Sequence, residues 1–363
     1  MKTEHLNAVV ACPPSEATHF APAAFGGRLL LPRGQRARNA ALKIFVSQRQ
    51  RAVGYFQALF NAGSSPTFRL DPAFARAVAP IAEGNDVAIW FGTPGPLNKL
   101  SFAVIDPQGH VSAIGKIGNR PATAALLHNE AAWLRRCGSY PELVRHVPKL
   151  IATITVGDTP ILVQSVVDGK TPRLRPGTAQ ASFQSTLHAL TAATELRIED
   201  SKMWLTIREH LTCVRPSLPI LWLERIERGM TRLLDYPDRI AFAAAHRDFT
   251  PWNMRLEHGS LRVFDWEYAS DEYGTAYDLL HYCLLPRVLR GARPHINVIL
   301  EQAAATAKTA NLLSCYGDQL RTQAIAYFLD VCLFYMASRG GWIAGDKVVE
   351  GYGDLLDQLL VLK

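Results

Sequence analysis

Three residues in fixed order constrain this chain more than any other feature. Asp248 and Asn253 lie in Ala245-His246-Arg247-Asp248-Phe249-Thr250-Pro251-Trp252-Asn253, and Asp265 follows twelve residues later. Met254–Glu257 and Leu261–Phe264 flank His258-Gly259-Ser260, a pattern that predicts a hairpin. Taken as symmetric about Gly259, the hairpin sets Asn253 opposite Asp265, an amide oxygen beside a carboxylate at the open end. Hard oxygen donors gathered this way suit Mg2+, which takes few protein ligands and keeps waters. Asp248, on the loop entering the hairpin, is placed to reach a substrate hydroxyl beside that metal. Phosphoryl transfer needs this set: an Asp to orient and deprotonate the attacking hydroxyl, and Asn and Asp to hold the metals that neutralise the phosphates. Singly, these residues are ordinary turn formers or helix caps; the ordered set carries the signal.

Around this segment the chain changes character twice. Residues 1–25 are rich in Ala and Pro and are expected to be partly loose. Arg28–Pro32 reads as a strand and Gln35–Phe60 as a helix that Gly63-Ser64-Ser65-Pro66 ends. From Asp86 the pattern is β: Asp86–Gly92, Leu100–Asp106 and Val111–Ile117, then a helix over Ala122–Cys137, then Leu150–Val156 and Ile161–Val167. Beyond Asp168-Gly169 helices are predicted over Ala179–Leu196, Ser201–Leu211, Leu218–Leu234, Ala276–Val288, Asn297–Leu313, Gln319–Ser338 and Lys347–Leu362. The expected organisation is a basic extension over 1–84, a small antiparallel sheet with one helix over 85–169, and a helical part over 170–363.

Composition narrows the alternatives. The net charge is +7, and residues 1–84 carry ten Lys or Arg against four Asp or Glu, so the rest is nearly neutral. No basic stripe accompanies a nucleic-acid reading motif, so nucleic acid is not an expected partner. The longest apolar run, Ala324–Ser338, is interrupted by Asp330 and falls short of a membrane span. Cysteines 12, 137, 213, 283, 315 and 332 form no C-x-x-C pair. A reduced cytoplasmic protein with buried thiols is the expectation.

The first sheet offers counterparts to the Asp248 set. Lys116 lies in Ala113–Ile117, which is otherwise apolar, and Glu130 shares a helix face with Leu127, Ala131 and Leu134. A carboxylate on an apolar face needs a partner, and a strand lysine can supply one. Such a pair aims the ammonium at nucleotide phosphates. Gly92 and Gly95 lie in the loop of residues 92–99, where backbone could approach phosphate oxygens. Gln164 and Val166 stand where backbone groups could meet an adenine edge.

Lys116, Glu130, His246-Arg247-Asp248…Asn253, Asp265-Trp266-Glu267-Tyr268-Ala269 and Tyr277-Asp278-Leu279 together resemble the aminoglycoside phosphotransferase and choline kinase superfamily, relatives of the protein kinases. The resemblance covers roughly residues 85–363. It implies an α+β, bilobal protein-kinase-like fold, with an antiparallel N-lobe sheet, a mostly helical C-lobe and an N-terminal extension. It implies an enzyme that uses ATP or GTP with Mg2+ to phosphorylate a hydroxyl of a small molecule. In that reading Asp248 is the base, Asn253 and Asp265 hold Mg2+, Lys116 and Glu130 clamp phosphates, and His246 and Asp278 support the loop. Arg247 stands where this family usually has Gly. Helical pattern resumes within about ten residues of Asp265, which leaves no room for a protein kinase's activation segment.

The acceptor wall is expected to include Glu267, Asp271, Glu272 and Trp252, which suits an amino alcohol, an amino sugar or a sugar. The alternatives are a non-catalytic nucleotide-binding scaffold of pseudokinase type, or a kinase acting on protein. The basic segment 28–60 is read as a brace, a dimer contact or a dock for an anionic partner.

Overall fold

The computed structural model describes residues 8–22, 25–26, 28–46, 65–92, 95–312 and 316–361. It divides into two compact units, Met1–Arg135 with Pro148–Val166, and Arg136–Val147 with Val167–Lys363. The fold mixes an antiparallel sheet with many helices, the α+β class expected.

The first unit is built on one sheet. Its strands are β1 (Val9–Ala11), β2 (His19–Phe20), β3 (Leu29–Pro32), β4 (Thr67–Leu70), β5 (Asp86–Trp90), β6 (Leu100–Ile105), β7 (Val111–Ile117), β8 (Leu150–Val156) and β9 (Thr159–Ser165). They pair antiparallel in the order β1-β4-β2-β3-β5-β6-β7-β9-β8. Leu30, Val87, Ile89, Phe102 and Val104 enter one core together with Phe74 and Val78 of helix α2 (Pro72–Ala82). Their alternates Leu29, Leu31, Ala88, Ala103 and Ile105 enter another with Ala37, Ala41 and Leu42 of helix α1 (Gln35–Phe45). Both faces of the central strands are thus buried, which is why the strands read as unbroken apolar runs. Helix α3 (Pro121–Gly138) carries Glu130.

Strands β1 to β4 therefore extend the same sheet through the expected boundary near residue 84. The expected looseness of the first 25 residues gives way, within the described stretch, to β1 and β2. The β4 strand and α2 were not foreseen. Asp71 starts α2 by accepting from the backbone N–H of Ala73 and Phe74, with Pro72 at its first turn. Helix α1 stops at Phe45, because Val46 is extended (φ −120°, ψ 133°). The rest of the helix expected over Gln35–Phe60 lies outside the described residues.

The second unit holds α4 (Thr178–Thr191), α5 (Lys202–Val214), α6 (Ile220–Leu234), α7 (Tyr277–Val288), α8 (Ile296–Lys308), α9 (Gly317–Ser338) and α10 (Lys347–Val361). Helix α9 is buried on all sides from Thr322 to Leu333, packed by α5, α6, α7 and α10. Among the described residues no helix is long and apolar enough to cross a membrane. Strands β10 (Thr194–Leu196), β11 (Ile240–Ala245) and β14 (Ser270–Gly274) form a small sheet, and β12 (Met254–Glu257) with β13 (Ser260–Val263) form a hairpin. The helix expected through Leu196 ends at Thr191: Ala192 turns left-handed (φ 49°), and Thr194–Leu196 pair with β11 instead. The cysteine expectation holds in part: Cys137, Cys283 and Cys332 are buried, while Cys12 is half-buried and Cys213 exposed.

Candidate functional site

In the first unit, β7 and α3 bring Lys116 and Glu130 together. Lys116 Nζ donates to both carboxylate oxygens, at 2.6 and 2.7 Å. Both residues are buried, Glu130 completely. Leu127, Ala131 and Leu134 bury the same face of α3, so the carboxylate is withdrawn from water and its position is fixed by the ammonium. Gln164 on β9 stands opposite Ile114 on β7, and its Oε1 is buried without a hydrogen-bond partner. Val166 is half-buried just past β9. Gly92 has φ 67°, and a Cβ there would meet the Asn98 Oδ1 at 2.3 Å. Gly95 is described, with its carbonyl accepting from Arg120 at 3.3 Å; residues 93 and 94 of that loop lie outside the described residues.

In the second unit the catalytic-loop candidate follows β11. Its backbone is held by Asp278, whose carboxylate accepts from the N–H groups of His246 (2.8 Å) and Arg247 (2.9 Å) and from Gln184 Nε2 (3.0 Å). Asp278 sits in the first turn of α7. Its charge therefore serves the loop as well as the helix N-terminus. The buried His246 ring ties the loop to the hairpin. Asp248 N–H faces its Nδ1 at 3.3 Å, so Nδ1 must accept, and Nε2–H donates to Phe264 O at 3.1 Å.

Asp248 is presented by this frame with a quarter of its side chain exposed. Asn253 Nδ2 donates to Asp248 Oδ2 at 2.6 Å and to its carbonyl at 3.0 Å. That use of the amide nitrogen leaves Asn253 Oδ1, the harder donor, for another partner. On the other side His281 Nε2 lies 3.4 Å from Asp248 Oδ1. His281 Nδ1 meets the Tyr327 hydroxyl at 3.1 Å, and that hydroxyl lies 3.2 Å from the hydroxyl of Tyr352. Burial, reinforced by the charge of Asp248, pushes the Tyr268 and Tyr335 hydroxyls up, so both remain protonated donors near the carboxylate.

The hairpin departs from the expected register. Met254 pairs with Val263 and Glu257 with Ser260, so the turn is two residues long, not three. His258 (φ 48°) and Gly259 (φ 81°) both take the left-handed conformation that such a tight turn demands. Asn253 thus stands opposite Phe264, whose N–H it receives at 3.0 Å, and Asp265 is one residue past the pair. Asp265 also turns left-handed (φ 73°), while Trp266 is anchored behind it by Nε1–H donating to Val263 O at 2.9 Å. Carboxylate oxygens of Asp265 and Glu267 lie within 4.8 Å of each other. An amide oxygen, a carboxylate and a second nearby carboxylate are a donor set that fits a hard divalent cation. Gly169 closes the back of this hairpin: its φ is 119° and a Cβ would stand 2.8 Å from Leu256 O, where Lys170 pairs with Leu256.

The expected acceptor wall is only partly available. Asp271 is ion-paired with Arg136 and with Lys202 (3.7 Å), and Glu272 accepts from the Lys202 N–H at 2.7 Å. Trp252 is exposed, whereas Trp266 and Tyr273 are buried. Sequence reading missed His281, Tyr327 and Tyr352. The available signal was His281 three residues after Asp278, on the same face of an otherwise apolar helix.

Two left-handed residues other than glycine, Arg247 (φ 66°) and Asp265, flank the site. Each costs on the order of 1–3 kcal/mol and persists only where surroundings enforce it.

Comparison with known proteins gives the family and the fold. Residues 95–307 match the model of a phosphotransferase enzyme family. No curated protein sequence matches significantly. Among solved structures, Plasmodium vivax ethanolamine kinase superposes with a TM-score of 0.52 at 12% identity, covering 92% of this chain and 95% of that one. Choline kinase LicA from Streptococcus pneumoniae gives 0.50 at 18% identity, covering 78% and 96%. A thermostable mutant of aminoglycoside phosphotransferase APH(4)-Ia gives 0.50 at 14%, covering 72% and 90%. At these identities the likeness is one of fold.

Proposed function

The chain belongs to the phosphotransferase enzyme family, and from that premise we propose that it transfers the γ-phosphoryl group of ATP, with Mg2+, to a hydroxyl of a small molecule. The observation that carries this reading is the state of Asp248. It is fixed by Asn253 and His281, set on a loop held from behind by Asp278, and still a quarter exposed. A carboxylate so placed orients an incoming hydroxyl and takes its proton as the oxygen attacks phosphorus.

Asn253 Oδ1 and Asp265, with Glu267 close by, are the residues that would hold the divalent cation. When bound, that cation neutralises phosphate charge. Lys116, steadied by Glu130, meets the phosphates, and backbone groups at Gln164 and Val166 meet the nucleotide base. The protonated Tyr268 and Tyr335 are donors for the acceptor molecule. Because Asp271 and Glu272 are already engaged, a neutral or singly charged acceptor such as a sugar or amino alcohol fits better than a polycation. The short connection from Asp265 to α7 speaks against a protein acceptor.

Incubation with Mg-ATP and a panel of sugars, amino alcohols and aminoglycosides, read by nucleoside diphosphate release, tests the proposal. Release that depends on a sugar or amino alcohol is expected. Release stimulated only by a generic protein substrate would overturn it.

A further inference from the structure

Arg247 presents a problem that the proposed chemistry does not solve. It precedes Asp248, where the family usually has Gly, and adopts the left-handed conformation that Gly would take freely. Its guanidinium does not face solvent. It reaches into the helical core and pairs with Asp330 at 3.2 Å, Asp330 being fully buried on α9. The guanidinium lies 4.1 Å from the centre of the Tyr273 ring and donates to Tyr268 O at 3.4 Å. Asp330 is itself held by the hydroxyls of Tyr277 (2.7 Å) and Tyr273 (3.4 Å).

The surroundings of this pair are therefore specific. Tyr273 belongs to β14, Tyr277 to α7, Asp330 to α9, and Arg247 to the loop itself. Arg247 is gripped twice: its N–H by Asp278, its side chain by Asp330. In kinases regulated by phosphorylation, a separate segment becomes ordered when its added phosphate pairs with arginine. Here a carboxylate built into the central helix occupies that electrostatic role.

We infer that the Arg247–Asp330 pair is a positioning device that locks the 246–253 loop to α9, so that the loop is set without an added phosphate. Arg247 acts through Asp248, and the inference rests on the reading of Asp248 as the base. Removing either partner loosens the loop, and the effects of the two removals are not independent.

The test is a cycle of Arg247→Gly, Asp330→Asn and the double variant of the full chain. Amide hydrogen exchange is followed over 246–253, with Mg-ATP hydrolysis measured using water as the acceptor. Glycine suits the backbone at position 247, and Asn preserves the shape at position 330, which keeps the variants folded. Asp330→Asn is expected to speed exchange of the loop amides about tenfold in the parent protein and to leave them unchanged when added to Arg247→Gly. The kcat for hydrolysis falls in parallel while the KM for ATP stays put. An equal effect of Asp330→Asn with and without Arg247→Gly, or none in either, overturns the inference. Arg247→Lys, which keeps the charge but loses the planar fork, is expected to recover part of the protection. Asp248→Asn separates the two readings: if it retains full turnover the base assignment fails, whereas the exchange cycle stands or falls by itself.

Discussion

Lys116 is gripped by Glu130, fourteen residues along the chain, through two short charge-assisted bonds in a buried place. Asp248 is set differently. Its neighbours come from the hairpin (Asn253), from α7 (Asp278, His281) and, behind those, from α9 and α10 (Tyr327, Asp330, Tyr352). Among the described residues of the first unit, the buried charge gathers in one local pair, Lys116 with Glu130, beside a few buried neutral polar groups such as Thr159 and Gln164. The second spreads a polar network through a helical core. A concentrated pair fails abruptly when one member goes, because the other is left charged and buried. In a network each bond polarises the next, so removing one member is felt by groups on several elements and its cost is shared among coupled partners instead of one.

That contrast can be broken by substitution. Lys116→Ala is expected to destabilise the protein by about 3–5 kcal/mol, since Glu130 loses its counter-charge in a dry site. Lys116→Met combined with Glu130→Leu should recover most of that stability while nucleotide binding stays lost. Denaturant melts together with a Mg-ATP binding measurement decide it. A Lys116→Ala variant as stable as the parent would show that the pair is not a concentrated one.

Acid sharpens the same comparison on the other side. His188 is buried on α4, and desolvation lowers its pKa from 6.5 to about 4, against a smaller opposing pull from Asp278. The unfolded chain binds this proton more readily than the folded one. Stability attributable to His188 is therefore intact above pH 6.5 and drains away as pH falls toward 4, by at most about 3 kcal/mol. Chemical denaturation at a series of pH values should show His188→Gln flattening that decline. An unchanged slope would mean that protonation elsewhere governs acid sensitivity.

The smallest effect belongs to the surface. Arg136 and Asp271 pair with about two-fifths of each side chain exposed, so Asp271→Asn should cost less than about 1 kcal/mol. If Asp271 is an anchor of this pair and not of the acceptor, the variant also leaves acceptor KM unaltered. A large rise in KM would return Asp271 to the acceptor wall.

How far the sequence discloses all this follows the same division. Lys116 and Glu130 are legible because an isolated lysine in an apolar strand and an isolated glutamate on an apolar helix face are both anomalies, close together in the chain. The loop from His246 to Asp265 is legible because its spacing is rigid. Its hairpin register differs from expectation by one residue, since His258 adopting a left-handed turn beside Gly259 is indistinguishable in sequence from a three-residue turn. Asp330 was visible only as the charge that interrupts an apolar run; its partner lies 83 positions away, and nothing local announces it. The β1 and β4 strands were hidden because they are short and gain their stability by joining an existing sheet.

The most direct measurement compares Asp248→Asn with the parent protein in two assays: acceptor-dependent diphosphate release and the shift in melting temperature on adding Mg-ATP. The account predicts that release falls by about 10²–10⁴-fold while the shift is retained. Release at the parental rate from Asp248→Asn would contradict the role given to this carboxylate.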